Sequence, residues 1–351
     1  MENTSTFEPG TEVLDLGLVR QAQRILSEIL VEFPNRIHMT PIDCNRFGFG
    51  RPGGGGIGFA IDLGSRLRIT SADKLRIHTN RLKYAPLIEH YLHVIQLLLS
   101  TREEFEFQLD VPSLVKQHFW LGSSVAVACA VFFGLNKMFG EPLSVEEMRK
   151  LIAHNFVEEF RGKVTRGLET GVGTAVIFRG GLAVVANELV EVFRSPLPNG
   201  YSVLLVDTAT SRPEADKPES EAMLKRTWFL DSSYRYIKAY DLLMDVIPAL
   251  NETNFEKVGN YIWDIQFSGT HLSMIQSYEN FGRRIYEALG ILRGAGAEIC
   301  GLSSVGPAIY VVCHDERRKA VIETFMRDYA GGSVTEVKPN NSGIKVVESG
   351  F

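Results

Sequence analysis

Long apolar runs are missing from this 351-residue chain. The longest nearly uncharged one, Val125 to Leu135, falls short of the roughly 18 to 20 residues that cross a bilayer, and it reads as a buried helix. Cysteine is sparse: Cys44, Cys129, Cys300 and Cys313 show neither CxxC nor Cys/His ligand spacing, which argues against a disulfide scaffold or a zinc site and predicts free thiols. A positive excess is also lacking. With 37 Lys and Arg against 42 Asp and Glu the net charge is −5, so no global field draws nucleic acid and an anionic ligand has to be held by a local site. The first residues carry neither a basic nor an apolar signal region, so no export signal is visible and the cytoplasm is the expected compartment. A composition 45% hydrophobic and 23% charged excludes a disordered or fibrous chain, and the length suits about two domains or one fold with two lobes.

Apolar periodicity organises what is there. Leu18, Ala22, Ile25, Ile29 and Phe33 fall on one helical stripe that Pro34 stops, which predicts an N-terminal helix over 14–33. A β-rich stretch follows, with strands at 67–70, 74–78 and 106–111, then helices over 84–100, 123–139 and 144–160, the last opened by a capping-box spacing from Ser144 to Glu147. The turn cluster Pro196-Leu-Pro-Asn-Gly200 precedes an apolar strand at 202–207 and sets a lobe boundary, giving lobes 1–195 and 196–351. Residues 209–222 are polar and proline-containing, which predicts a solvated loop or a lid. Helices are expected over 232–250, 254–266, 271–293 and 315–329, with strands at 308–313, 333–337 and 343–348. Both lobes are α+β.

Glycine is the abundant exception, with 32 residues that cluster. Arg51-Pro-Gly-Gly-Gly-Gly-Ile-Gly58, Leu121-Gly-Ser-Ser-Val-Ala and Gly301-Leu-Ser-Ser-Val-Gly-Pro307 combine glycine and hydroxyl residues beside a helix or strand. Unpaired N–H groups at a helix start bind phosphate, and glycine permits close approach. Taken singly, Ser123 can equally be a helix cap and Gly53 to Gly56 a flexible turn. The pattern is neither a Walker A loop nor a Rossmann fingerprint.

Leu121-Gly-Ser-Ser-Val-Ala-Val-Ala resembles the phosphate-binding motif of the GHMP kinase superfamily, and Gly294-Ala-Gly-Ala-Glu-Ile-Cys-Gly-Leu-Ser-Ser-Val-Gly-Pro307 is similar to its C-terminal glycine-rich motif. More narrowly, Arg36-Ile-His-Met-Thr-Pro-Ile-Asp43, the Gly53 to Gly58 run, Thr170-Gly-Val-Gly-Thr-Ala-Val-Ile-Phe-Arg-Gly-Gly181 and Ser303-Ser-Val-Gly-Pro307 resemble the beta-ribofuranosylaminobenzene 5'-phosphate synthase family, which includes synthases of pyrazole C-nucleoside antibiotics such as formycin. The resemblance implies an α+β, two-lobe GHMP-kinase-like fold with a glycine-rich anion site between the lobes. It implies an enzyme that joins phosphoribosyl pyrophosphate to an aromatic acid with loss of pyrophosphate and carbon dioxide. An ATP-dependent small-molecule kinase is the alternative, and a binding protein on a retired fold a third. The kinase aspartate is absent from Thr170-Gly-Val-Gly-Thr174, which lowers the kinase reading without removing it.

The roles that follow are expectations. Gly122, Ser123 and Ser124, with Gly53, Gly54, Gly55 and Gly56 opposite, would hold the diphosphate, helped by Arg51 and Arg179, with Lys116 and Arg166 as further cations. Thr170, Gly171, Gly173, Thr174, Ser303 and Ser304 would bind substrate. Mg2+ would fall to Asp43 or Asp62, either of which could instead meet ribose hydroxyls or cap a turn. The catalytic candidates are Asp43 and His38, the latter an acid/base or acceptor-carboxylate contact or else a packed strand histidine. The family commonly reads Gln-Ser-Ser-Trp-Gly-Pro where this chain has Leu302 and Val305, which turns the acceptor from 4-aminobenzoate or 4-hydroxybenzoate toward an aminopyrazole carboxylate. No nucleic-acid or membrane partner is expected, and a homodimer is left open.

Overall fold

The computed structural model describes residues 6–14, 16–46, 48, 50–112, 121–211 and 219–351, with backbone only for 219–229. The strands are β1 (Glu28–Pro41), β2 (Gly56–Ala72), β3 (Arg76–Thr79), β4 (Glu104–Asp110), β5 (Val157–Phe160), β6 (Lys163–Arg166), β7 (Leu182–Val185), β8 (Glu191–Ser195), β9 (Tyr201–Asp207), β10 (Ile299–Leu302), β11 (Ile309–His314), β12 (Ser333–Pro339) and β13 (Lys345–Gly350). The helices are α1 (Ala85–Leu98), α2 (Ser123–Met138), α3 (Val145–His154), α4 (Val172–Arg179), α5 (Glu219–Asp241), α6 (Ile247–Asn251), α7 (Phe255–Ile265), α8 (Gly269–Gln276), α9 (Arg283–Gly294) and α10 (Asp315–Asp328). The main sheet runs β10-β11-β9-β12-β2-β1-β13, with β4 and β7 also on β2. One strand joins its two halves: β12 pairs with β9 along 333–337 and with β2 at Lys338 and Pro339. The last strand, β13, returns to β1. This is a mixed α+β, two-lobe architecture.

Alternation explains the layering of the second half. In β9, Val203 and Leu205 enter a core with Val258 and Ile262 of α7, while Leu204 and Val206 enter another with Leu289 of α9 and Phe325 of α10. In the first half α2 packs on β1 and α1, and its apolar, all-round buried sequence follows from that central place.

The predicted helix over 14–33 does not form. Residues 16–26 hold no regular element, and from Glu28 the chain is strand β1, paired with β2 on one side and β13 on the other. The three-four spacing of Ile25, Ile29 and Phe33 overlaps the strand alternation of Ile29, Val31 and Phe33, and the two sheet neighbours decide for the strand. Pro34, read as a helix stop, sits in a break of the β1–β2 register between Phe33 and Asn35, where no ladder N–H is needed. The helix expected over 144–160 has its capping box but ends at His154, and 157–166 form the hairpin β5–β6, turned by Arg161 (φ 55°) and Gly162 (φ 82°). Residues 219–222 of the expected loop belong to α5, and 212–218 lie outside the described residues. The single helix expected over 271–293 is two, α8 and α9, because Asn280 (φ 52°) and Phe281 (φ 54°) are left-handed. All four cysteines are free and buried.

The N-terminal segment is fastened by side chains. Gly10 N–H donates to His90 Nδ1 at 3.1 Å, His90 Nε2 lies 3.3 Å from the Asn155 carbonyl, and Asn155 bonds both N–H and C=O of Leu14. That geometry suits a neutral imidazole with its proton on Nε2. Burial holds its pKa down at about 4. The unfolded ring protonates near its ordinary value of roughly 6.5, so the contribution to stability is full above that value and is lost as pH falls toward 4, where the unfolded state binds more protons. A His90→Gln protein should therefore show a loss of unfolding free energy between pH 7 and 4.5 smaller than wild type by about 2 kcal/mol. Urea denaturation at the two pH values checks this, and an identical pH dependence would refute it.

Candidate active site

The end of β1 is where both lobes meet. Strand alternation puts Arg36 and His38 on one face. Arg36 lies across the start of α2: a Cβ added to Gly122 would stand 2.4 Å from Arg36 Cγ and 2.9 Å from its Nε. Gly122 is left-handed (φ 62°) and precedes the first turn of α2, whose N–H groups have no partner within the helix, and Gly122, Ser123 and Ser124 are all half-buried. Among the described residues no side chain is bonded to those amides.

The head of α4 is built differently. The buried Glu169 carboxylate accepts the Gly171 N–H at 2.7 Å, and Thr170 Oγ1 accepts the Val172 N–H at 3.4 Å, so this helix start carries its own anion. Burial raises the Glu169 pKa, while Arg36 and the amides of Gly171 and Gly173 pull it down. Gly56 and Gly58 of β2 make room for α4: a Cβ on either would meet Val172 within 2.9 Å.

His38 joins the two lobes. Its Nε2 is 3.0 Å from Thr170 Oγ1, and its carbonyl accepts the Ser304 N–H at 2.9 Å. Thr170 Oγ1 also accepts the Val172 N–H, so the imidazole tautomer decides which of Nε2 and Oγ1 donates to the other, while Nδ1 is buried without a hydrogen-bond partner among the described residues. His38 is buried, and its pKa is driven well below the usual value, first by desolvation and then by the charges of Arg36, His271 and Lys238. At neutral pH it is a neutral hydrogen-bonding group.

A second buried cluster stands beside it. Asp231 Oδ2 accepts the Cys44 N–H at 2.8 Å, Asp231 Oδ1 accepts the Thr270 hydroxyl at 2.6 Å and pairs with Lys238 Nζ, and Lys238 also donates to the Pro41 carbonyl at 3.0 Å. This clamps α5 and α8 to the end of β1. His271 of α8 is buried, its pKa lowered to about 4 by desolvation and by Lys238.

The remaining sequence candidates fall as follows. Gly53 N–H donates to the Glu169 carbonyl and Gly54 N–H to Asn187 Oδ1, and Gly55 stands 2.1 Å (from an added Cβ) from the Val185 carbonyl. The run Gly53, Gly54, Gly55 and Gly56 is thus a buried turn whose first two amides are used internally, not a free anion loop. Arg51 is exposed and bridges to Gly48. Arg179 ends α4, pairs with Glu146 and Glu191, and so lies about 12 Å along the helix from its N-terminus. Arg166 pairs with Glu12, and Lys116 lies outside the described residues. Gly173 lets α4 approach Val125 of α2 and Thr174 bonds back to the Gly171 carbonyl, so both pack and do not face a ligand. Leu302 and Val305 belong to a hydrophobic core, so their departure from the aromatic motif carries no information on the acceptor in this geometry.

Asp43 and Asp62, the carboxylates expected to hold Mg2+, are each engaged elsewhere. Asp43 caps a turn through Asn45 N–H and faces Arg46 and Arg235; Asp62 bonds Gly64 N–H, about 20 Å along β2 from the Gly56 end near which Asp43 lies. Two cations beside one carboxylate and a long separation from the other do not suit Mg2+, and among the described residues no three His, Cys, Asp or Glu side chains group as a metal site.

Sequence reasoning missed Glu169, Lys238, Asp231 and His271, and gave Arg36 no role. The alternation Arg36-Ile-His38 could have placed Arg36 on the His38 face, and Glu169 stands one residue before the stretch read as lacking an acid. The seven-residue spacing of Asp231 and Lys238 marks one helix face, but nothing in it tells that β1 covers that face.

This geometry defines a GHMP-kinase-like fold, and comparison with known proteins agrees. Homoserine kinase from Cytophaga hutchinsonii superposes with a TM-score of 0.65 at 16% identity, covering 93% of this chain and 99% of that one. Mevalonate diphosphate decarboxylase from Staphylococcus aureus gives 0.67 at 13% identity, covering 92% and 99%. No family model matches the sequence. Curated relatives are distant: beta-ribofuranosylphenol 5'-phosphate synthase of Archaeoglobus fulgidus is 22% identical over 335 residues, 89% of this chain and 97% of that protein, and the enzyme of the same name from Methanothermobacter thermautotrophicus is 23% identical over 317 residues, 82% and 90%. Mevalonate kinase of Aeropyrum pernix is 24% identical over 178 residues, half of this chain. The chain thus shares its fold with these solved structures and is distantly similar in sequence to these curated proteins.

Proposed function

We propose that this protein is a C-ribosyltransferase. It joins C1 of the ribose of phosphoribosyl pyrophosphate to a ring carbon of an aromatic or heteroaromatic carboxylic acid, within a site between lobes 1–195 and 196–351. The observation that carries the reading is the contrast between the two helix starts: α2 offers amides with the Arg36 guanidinium across them, while α4 is closed by Glu169. Similarity over nearly the full length to two beta-ribofuranosylphenol 5'-phosphate synthases supports it.

Gly122, Ser123, Ser124 and Arg36 take the diphosphate, whose negative charge grows as the bond to C1 breaks. The ring carbon supplies the electron pair for the new carbon–carbon bond. The pair of the broken carboxylate bond returns to the ring and restores aromaticity as carbon dioxide leaves, so no strong base is required. His38, held by Thr170 and adjoined by Ser304, offers its Nδ1 to the acceptor as a neutral hydrogen-bonding atom. A carboxylate substrate labelled with carbon-13 tests the reading: labelled carbon dioxide should appear one for one with pyrophosphate. Label retained in a ribosylated product would mean N- or O-ribosylation, and tight ATP binding with phosphate transfer to an alcohol would establish a kinase.

A further inference from the structure

We propose that Glu169 is a resident counter-anion for Arg36 that holds down the affinity of the α2 site for pyrophosphate, the product that has to leave. The inference rests on the pyrophosphate reading of that site.

Three observations place Glu169 there. Its carboxylate is fixed by the Gly171 N–H at 2.7 Å, and its carbonyl by the Gly53 N–H at 3.2 Å, so neither end of the residue swings freely. A Cβ added to Gly173 would lie 2.8 Å from Val125, the third residue of α2, and 3.5 Å from Glu169 Oε1, which puts the carboxylate against the first turn of α2. Arg36 lies across Gly122 of that same turn, and its charge is the largest influence lowering the Glu169 pKa against burial. The other titratable groups acting on Glu169 or sensing it are Arg149 of α3, Cys129 of α2 and Tyr91 of α1. The guanidinium therefore meets two anions in turn, one built in and one bound. With this carboxylate always beside the first turn of α2, its repulsion of a bound dianion makes release of pyrophosphate easier than it would be without Glu169.

The test is calorimetric titration of inorganic pyrophosphate into wild type, Glu169→Gln and Glu169→Asp. Glutamine keeps the size and the acceptor for the Gly171 N–H while removing the charge; aspartate keeps the charge. Pyrophosphate should bind Glu169→Gln roughly tenfold more tightly than wild type, the order expected when one unit charge is removed near a partly buried anion site, and Glu169→Asp should bind within about threefold of wild type. In an Arg36→Met background the gain from Glu169→Gln should vanish, which a merely structural role of Glu169 would not produce. Equal or weaker binding by a folded Glu169→Gln protein overturns the inference while leaving the phosphate site standing. Absence of pyrophosphate binding to every variant, wild type included, removes the α2 site and the inference with it.

Discussion

An Asp231→Leu protein is expected to lose about 3 to 5 kcal/mol of unfolding free energy, far more than a leucine in place of an exposed aspartate. Asp231 is completely buried and takes three hydrogen bonds, from Cys44 N–H, from the Thr270 hydroxyl and from Lys238 Nζ. Removing it strands a buried ammonium with the Pro41 carbonyl as its one remaining partner among those bonds and leaves two further donors unmet. Lys238→Met should cost less, because the carboxylate keeps Cys44 and Thr270. The double variant Asp231→Leu/Lys238→Met should recover most of the loss, since apolar replacements of a buried pair are often close to neutral. Urea midpoints of the three proteins form the cycle. Additive losses would show that the two side chains do not act as a pair.

Gly122→Val is expected to lose about a hundredfold or more in affinity for phosphoribosyl pyrophosphate, the size of effect seen when one partner of a close charge contact is removed. The new side chain has no place: its Cβ would lie 2.4 Å from Arg36 Cγ, so the guanidinium has to leave the helix start. A β-branched residue at φ 62° also strains the backbone, and a stability loss of about 1 to 2 kcal/mol accompanies the change. Arg36→Met separates the two effects. It should reproduce most of the affinity loss with little backbone strain. Calorimetric titration beside thermal melts measures both quantities, and unchanged affinity in folded Gly122→Val would reduce the start of α2 to a structural cap.

Local chemistry was enough to find α2, the capping box at Ser144 and Glu147, and strands β4, β9 and β11, because each is written in contiguous residues: an apolar run, a cap spacing or a β-branched stretch. The quoted motifs contain His38, Thr170 and Ser304, which bond one another, and Gly122, which lies against Arg36. What the sequence left undecided depended on neighbours remote in the chain. Ile29 and Phe33 suit a helix stripe, and with Val31 they suit a strand equally, until β2 and β13 supply ladders on both sides. The Gly53 to Gly56 run has the composition of an anion loop, and packing against β7 and Asn187 makes it a buried turn. Two glycine-started helices look alike in one dimension. The carboxylate at α4 is local, Glu169 lying two residues before Gly171, but only the fold gives α2 a guanidinium, because packing brings Arg36 from a strand 86 residues earlier to Gly122.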